Sequence, residues 1–338
     1  MNFDVSARTI LLVKHGSHAY GTNVEGSDED FKGVCIKPRV AYFGFTERFE
    51  QFEHMGSKSD GIDKVIYSLE KFASLAADCN PNIIEVLHVA EKDVMIIDEF
   101  GQMLRSRRND FLSKKAKFTF AGYAHAQLKR IKTHRAWLLE KPKEPKRSDF
   151  RLPETNHVSK SELGAFDSLL NLKSIDDEAQ TVERAEEIAQ AARLTLGVEL
   201  PRDVVTLFTR EKAYQAAKAH YEQYLNWVKT RNPKRAAMEE QFGYDTKHGM
   251  HLWRLQTMGV EILRDHIVNV DRTNIDREKL LQIRNGKVSY DELVEGAERL
   301  EREGEELYKT STLRKEPDRN ALSNFVVDLT TSYLQRYG

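Results

Sequence analysis

The chain has 338 residues, of which 40% are hydrophobic and 31% charged, and its formal net charge is -1. This length accommodates two domains with at least one full core, and the composition is that of a globular protein rather than a disordered or fibrous one. Near-neutrality removes any whole-chain electrostatic argument for nucleic acid, and no apolar run approaches the length of a bilayer span, so no membrane partner is expected.

The elements follow in chain order. Thr9–Val13 reads as a strand that ends on Gly16-Ser17, where a short helix is expected to start. Asp28 and Asp30 come next and lead into a second strand, Phe31–Ile36. Tyr42–His54 is aromatic-rich and fits either a helical turn or a hairpin. Ser59-Asp60-Gly61 is a turn signal, followed by a third strand at Ile62–Tyr67. Ser68 is expected to cap a helix from Leu69 to about Asp78, and Asn80-Pro81-Asn82 separates it from another at Ile83–His88. Beyond about residue 100 strand signals fade. Helices are expected at Lys115–Glu140, Asp177–Thr195, Arg210–Lys229 and Asp245–Arg264, with a Lys- and Pro-rich loop at Lys141–Pro153. Ser289 and Glu292 have the spacing of a capping box. The fold class is α+β: a small mixed-sheet domain over residues 1–105, then a larger helical domain over 106–338 that forms the far wall of a cleft and the acceptor-binding surface.

The chemistry-bearing residues concentrate near the N-terminus. Side chains alternate along a strand, so Asp28 and Asp30 share a face and Glu29 points away. Paired carboxylates are hard oxygen ligands suited to magnesium, or to manganese in its place. Asp63, an acid opening an apolar strand, is the expected third ligand and a helper in deprotonating an acceptor hydroxyl, with Asp60 as its fallback. Gly16 lets backbone approach phosphate oxygens, Ser17 adds a hydroxyl, and Ser27 caps a turn or donates to phosphate. This set suits transfer of a nucleotide from a nucleoside triphosphate (NTP).

Two cationic features lie further on. Lys247, His251 and Arg254 fall at i, i+4 and i+7 on one helix face, a stripe that faces the triphosphate or the acceptor, or pairs with acids of the first domain. The segment 105–147 carries fourteen Lys and Arg residues against Asp110, Glu140 and Glu144. It can follow a phosphate backbone, or can simply be a solvated helix surface. Within it Lys129 and Lys132 share a face and are the expected acceptor contacts. Cys35 and Cys79 make no CxxC pattern, which argues against a zinc site or disulfide framework and for a reducing compartment. Met1–Arg8 lacks a signal-peptide core, so a cytoplasmic location is expected.

The run GSHAYGTNVEGSDEDFKGV (Gly16–Val34) resembles the signature of the polymerase-β-like nucleotidyltransferase superfamily. Ile62–Leu87, Phe120–Leu138, Tyr244–Leu263 and Leu280–Glu295 are similar to its RNA-repair-associated (RNA ligase-associated) family. The resemblance implies magnesium-dependent transfer of a nucleoside monophosphate to an RNA end. Carried over position by position, it makes Asp28, Asp30 and Asp63 the metal acids and Gly16 and Ser17 the triphosphate contacts. The superfamily also modifies proteins and small molecules, so those acceptors stay open, as does a non-catalytic nucleic-acid-binding module.

Overall fold

The computed structural model describes residues 3–45, 48–56, 61–156, 158–171, 190, 193, 199 and 201–338. The expected helix at Asp177–Thr195 and the fallback acid Asp60 therefore lie outside the described residues, apart from single positions in that helix.

A five-stranded sheet forms the N-terminal part. Its strands are β1 (Thr9–His15), β2 (Glu29–Cys35), β3 (Gln51–His54), β4 (Ile62–Ser68) and β5 (Val94–Ile97), in the order β3-β4-β2-β1-β5. Only β2 and β4 run parallel; every other neighbouring pair is antiparallel. The first two helices are short turns, α1 (Gly16–Ala19) and α2 (Arg39–Phe43). Next come α3 (Leu69–Ala77), α4 (Pro81–His88), α5 (Glu99–Ser106) and α6 (Lys115–Leu139). The remaining described helices are α7 (Lys160–Asn171), α8 (Arg202–Thr230), α9 (Pro233–Phe242), α10 (Thr246–Asp265), α11 (Arg277–Arg284), α12 (Tyr290–Thr310) and α13 (Arg319–Tyr337). The α+β class is as the sequence implies. Within Tyr42–His54, Tyr42 and Phe43 end the helical turn α2, and Gln51–His54 form the edge strand β3, which pairs antiparallel with β4.

The sheet is unequally covered on its two faces. Ile10, Val13 and Val34 point into the main core with Phe72, Ile83, Ile84 and Leu87, and Tyr67 packs against it. Leu12, Cys35 and Ile66 form only a small cluster on the other side, with Phe31 and Phe49 against it. Strand alternation therefore puts His15, Asp30, Lys32 and Asp63 on the same face as the main core, at its margin.

Two compact units emerge. One joins Met1–Arg135 to Ala237–Gly338; the other is Ala136–Ala236. The chain thus does not separate at 105/106. In the first unit α13 packs on α3 and α5, and α10 packs on α11 and α12. Phe100 meets Tyr333 edge-on, with ring centroids 5.1 Å apart. These contacts bind the C-terminal helices into the core of the sheet unit. In the second unit Arg147 pairs with the buried Glu211, and Trp137 stacks among His220, Tyr224 and Trp227.

The caps follow the sequence in part. Ser289 and Glu292 form the full reciprocal capping box at the start of α12. Ser68 does occupy the N-cap of α3, but its side chain makes no cap hydrogen bond and its buried hydroxyl has no partner. Ser289→Ala is therefore expected to lower stability by about 1 kcal/mol. Ser68→Ala should leave stability unchanged or raise it, because a buried hydroxyl without a partner is removed. Urea denaturation of the two variants checks this contrast.

Candidate active site

β1 ends at His15, the register partner of Asp30 on β2, and Asp30 in turn is the register partner of Asp63 on β4. The parallel pairing of β2 with β4 thus sets two carboxylates side by side on the margin of the covered face. Asp28 lies one residue before β2, exposed, with its Oδ1 beside Gly61. Burial pushes the Asp30 carboxyl above its ordinary pKa; Asp63 and Asp28 push the same way, while Lys32 and Lys247 oppose them. The acids are close enough to repel, which is the electrostatic condition a divalent cation relieves.

Among the described residues, however, no three His, Cys, Asp or Glu side chains converge as a ready ligand cage. Asp63 Oδ1 accepts a hydrogen bond from the Gly56 amide at 2.9 Å. The trio supplies hard oxygen donors and the β2–β4 register brings Asp30 and Asp63 together, but as they stand the three side chains form no ligand cage.

Gly16 follows β1 directly. Its φ of +63° is one that side chains rarely tolerate, and a Cβ there would lie 2.0 Å from Asp30 Oδ2. The Gly-Ser turn is thus seated against the acid, and only glycine permits that approach. Ser17 is half-buried at the second position of α1. Ser27 is otherwise occupied: its Oγ accepts from Val24 N at 2.9 Å and its amide donates to Val24 O at 3.0 Å, which closes the loop before Asp28.

The expected stripe on α10 comes apart. Arg254 is 4% exposed and forms a buried ion pair with Glu85 of α4, its guanidinium 3.8 Å above the Tyr20 ring. This is the pairing with an acid of the N-terminal part, and it removes Arg254 from the set of side chains that can reach a substrate. His251 is held neutral, its pKa well below the ordinary value because it is buried and flanked by Arg254, Lys247 and His248. Lys247, half-buried, acts electrostatically on Asp30 and remains beside the acids.

The basic segment divides similarly. Arg105 is buried against Glu91 and the carbonyls of Leu87 and Val89. Lys115 pairs with Asp78, Lys117 with Glu305 and Arg107 with Asp110; Lys114 donates to Tyr308 O and Arg135 to Gly243 O. Lys129, Arg130 and Lys132 are exposed. The segment is therefore not a uniform rail of cations.

Two residues near the acids escape a motif search. Lys32, two positions after Asp30, donates to Asn82 O at 3.3 Å. Burial lowers its pKa to about 8, against the pull of Glu85 and Asp30. Glu85 is fully buried within Ile83–Leu87. The signals were there to read: a lysine in phase with the Asp pair, and an acid flanked on both sides by aliphatic residues.

A carboxyl whose folded pKa is raised binds its proton more tightly in the folded state, so stability falls as pH rises through that range. Asp30→Asn removes this penalty. In metal-free buffer the variant should melt above the wild type at pH 7, with the gap closing as pH falls below about 4; thermal melts across that range check it.

Residues 2–141 match the model of the family RlaP, described as the RNA repair pathway DNA polymerase beta family. The chain is also 30% identical over 132 residues to an uncharacterized 38.9 kDa protein of Enterobacteria phage T4, from its nrdC-mobD intergenic region. That similarity covers 36% of this chain and 38% of the phage protein. No solved structure matches. Among the described residues no helix is long and apolar enough to cross a membrane. Residues 2–141, the stretch that holds the Gly-Ser turn and all three acids, are thus similar to the RNA repair pathway DNA polymerase beta family.

Proposed function

We propose that the protein is a magnesium-dependent nucleotidyltransferase that moves a nucleoside monophosphate from an NTP to an acceptor hydroxyl, an RNA 3′ end, and releases pyrophosphate. The observation that carries this reading is the register pairing of Asp30 with Asp63 beside the positive-φ Gly16. The similarity of residues 2–141 to the RNA repair pathway DNA polymerase beta family supports nucleotidyl transfer in general; the metal, the acceptor and the residue roles are our reading.

Asp28, Asp30 and Asp63 would hold magnesium, or manganese. When bound, the metal supplies charge neutralisation at the reacting phosphate and lowers the pKa of the attacking hydroxyl. Gly16 admits the triphosphate tail to the backbone, and Ser17 donates its hydroxyl to it. Asp63 accepts the proton of the acceptor hydroxyl as its oxygen bonds to the α-phosphorus and the bond to pyrophosphate breaks. Lys247 offsets negative charge on the approach, while the neutral His251 contributes a hydrogen bond at most. Lys129 and Lys132, exposed on α6, are the acceptor-backbone contacts.

A second acceptor class, a protein side chain or a small molecule, is kept open by one observation. Much of the basic segment is committed to internal partners, which leaves few cations for a nucleic-acid backbone.

The test is incubation with α-labelled NTPs, magnesium and an RNA pool. Label should enter RNA, and Asp30→Asn should lower transfer by more than about 100-fold, beyond what loss of an outer partner of a metal ligand does. Label on protein or in a low-mass product would move the reading to the second acceptor class. Undiminished turnover by Asp30→Asn would remove the site.

A further inference from the structure

Glu85 gathers groups from three parts of the sheet unit onto one buried carboxylate. Oε1 accepts from Arg254 Nη1 on α10. Oε2 accepts from the Tyr20 hydroxyl at 2.6 Å, at the end of α1. His15 Nε2 lies 3.1 Å from the same oxygen, without the alignment of a hydrogen bond. Arg254 in turn covers the Tyr20 ring and places Nη1 3.1 Å from Met258 Sδ. His15, Tyr20, Glu85 and Arg254 are all buried.

The arrangement has a direction. His15 immediately precedes Gly16-Ser17, and Tyr20 closes the helical turn that follows. The nucleotide-binding turn proposed above is therefore tied at its far end, through the Tyr20 hydroxyl, to one side chain outside the turn, and His15 at its near end packs against the same oxygen. Tolerance there is small, because the space a Cβ on Gly16 would need is already filled by Asp30 Oδ2. A shift of His15 or Tyr20 by a fraction of an ångström changes the gap between the turn and the acid.

Stability alone does not explain such a cluster. Desolvating two charges is costly, and apolar groups of similar volume often hold a core as well or better. What the ion pair and its hydrogen bond add is fixed geometry.

We infer that Glu85 is a positioning residue for NTP binding: its carboxylate ties Tyr20 to Arg254, with His15 packed against it, and so sets the Gly16-Ser17 backbone at the distance from Asp30 that the triphosphate requires. This inference rests on the nucleotidyltransferase reading of the site.

The test is equilibrium binding of magnesium-ATP, -GTP, -CTP and -UTP, corrected for folded fraction, alongside thermal melts. Glu85→Gln keeps the volume and removes the charge. It should weaken binding of the preferred NTP about 10-fold or more, as loss of a supporting partner does elsewhere. Glu85→Leu/Arg254→Met/Tyr20→Phe replaces the cluster with apolar groups. It should melt within a few degrees of the wild type or above it, yet bind NTP at least about 10-fold more weakly. A merely structural role predicts that this triple variant, once folded, binds as the wild type does, and that result would overturn the inference. If the triple variant does not fold, wild-type affinity in folded Glu85→Gln overturns it alone. A wild-type protein that binds none of the four nucleotides overturns the nucleotidyltransferase reading and this inference together, whereas wild-type binding with unaltered variants overturns the inference only.

Discussion

The pairing of β2 with β4 is the constraint on which the site depends. Parallel hydrogen bonding in one register puts Asp30 opposite Asp63. A slip of one residue would turn one of the two to the opposite face and separate them. The sheet therefore imposes a proximity that the carboxylates oppose. Burial and mutual repulsion both raise the Asp30 pKa, and the two nearby lysines do not cancel that rise. The strands can hold the acids there because their interiors are fixed by something stronger. Ile10, Val13, Val34 and Ile66 are nearly or fully buried and tie the sheet to its two apolar clusters. Apolar burial supplies the stability that lets a like-charged pair sit at the margin.

A second constraint ties the C-terminal helices to that margin. Arg254 lies on α10, far along the chain, and its partner Glu85 is on α4. Arg272, fully buried, is held by Glu261 and Asp276, and its amide donates to Tyr20 O at 3.1 Å. Arg284 donates to Thr22 O at 2.7 Å and Arg277 to Gly21 O. The loop after the Gly-Ser turn is thus bounded by arginines from a region more than 200 residues away. Truncating the C-terminal helices would do more than shorten the chain: carbonyls and a carboxylate around the turn would lose their partners. This is why the sheet and these helices form one unit.

What could be read from the sequence was local. The Asp-x-Asp spacing follows from the two-residue period of a strand, and Gly16 from the φ that only glycine adopts readily. Ser289 and Glu292 follow from cap spacing three residues apart. What could not be read depends on long-range pairing. The fate of Arg254 was open between a cleft and an acid, because its partner Glu85 lies 169 positions earlier and no local rule connects them. Ser68 has the identity and backbone of a cap, but its side chain makes no cap bond. β5 is only four residues, Val94–Ile97, flanked by charged positions, and has too little pattern to register as a strand. The division at 105/106 followed the loss of strand signal. The compact units instead follow packing, which brings the last hundred residues back onto the sheet.

The charge balance at the acids completes the picture. With Arg254 committed to Glu85, the cations that act on Asp30 are Lys32 and Lys247. Lys32 is on the same strand face, and burial lowers its pKa to about 8, so it loses its proton, and its counter-charge, at lower pH than an exposed lysine would. Glu85 does not neutralise the acids either, because Arg254 holds its pKa well below the usual carboxylate range despite burial, and it stays ionised. The fold thus directs Arg254 to an internal carboxylate and leaves Lys32 and Lys247 as the cations that oppose the rise at Asp30. A fully paired Asp30 would have little to gain from a divalent ion. The pKa of Asp30 is raised first by its own burial, while α10 contributes the Arg254 guanidinium to the scaffold and Lys247, about two turns nearer its start, to the field of the acids.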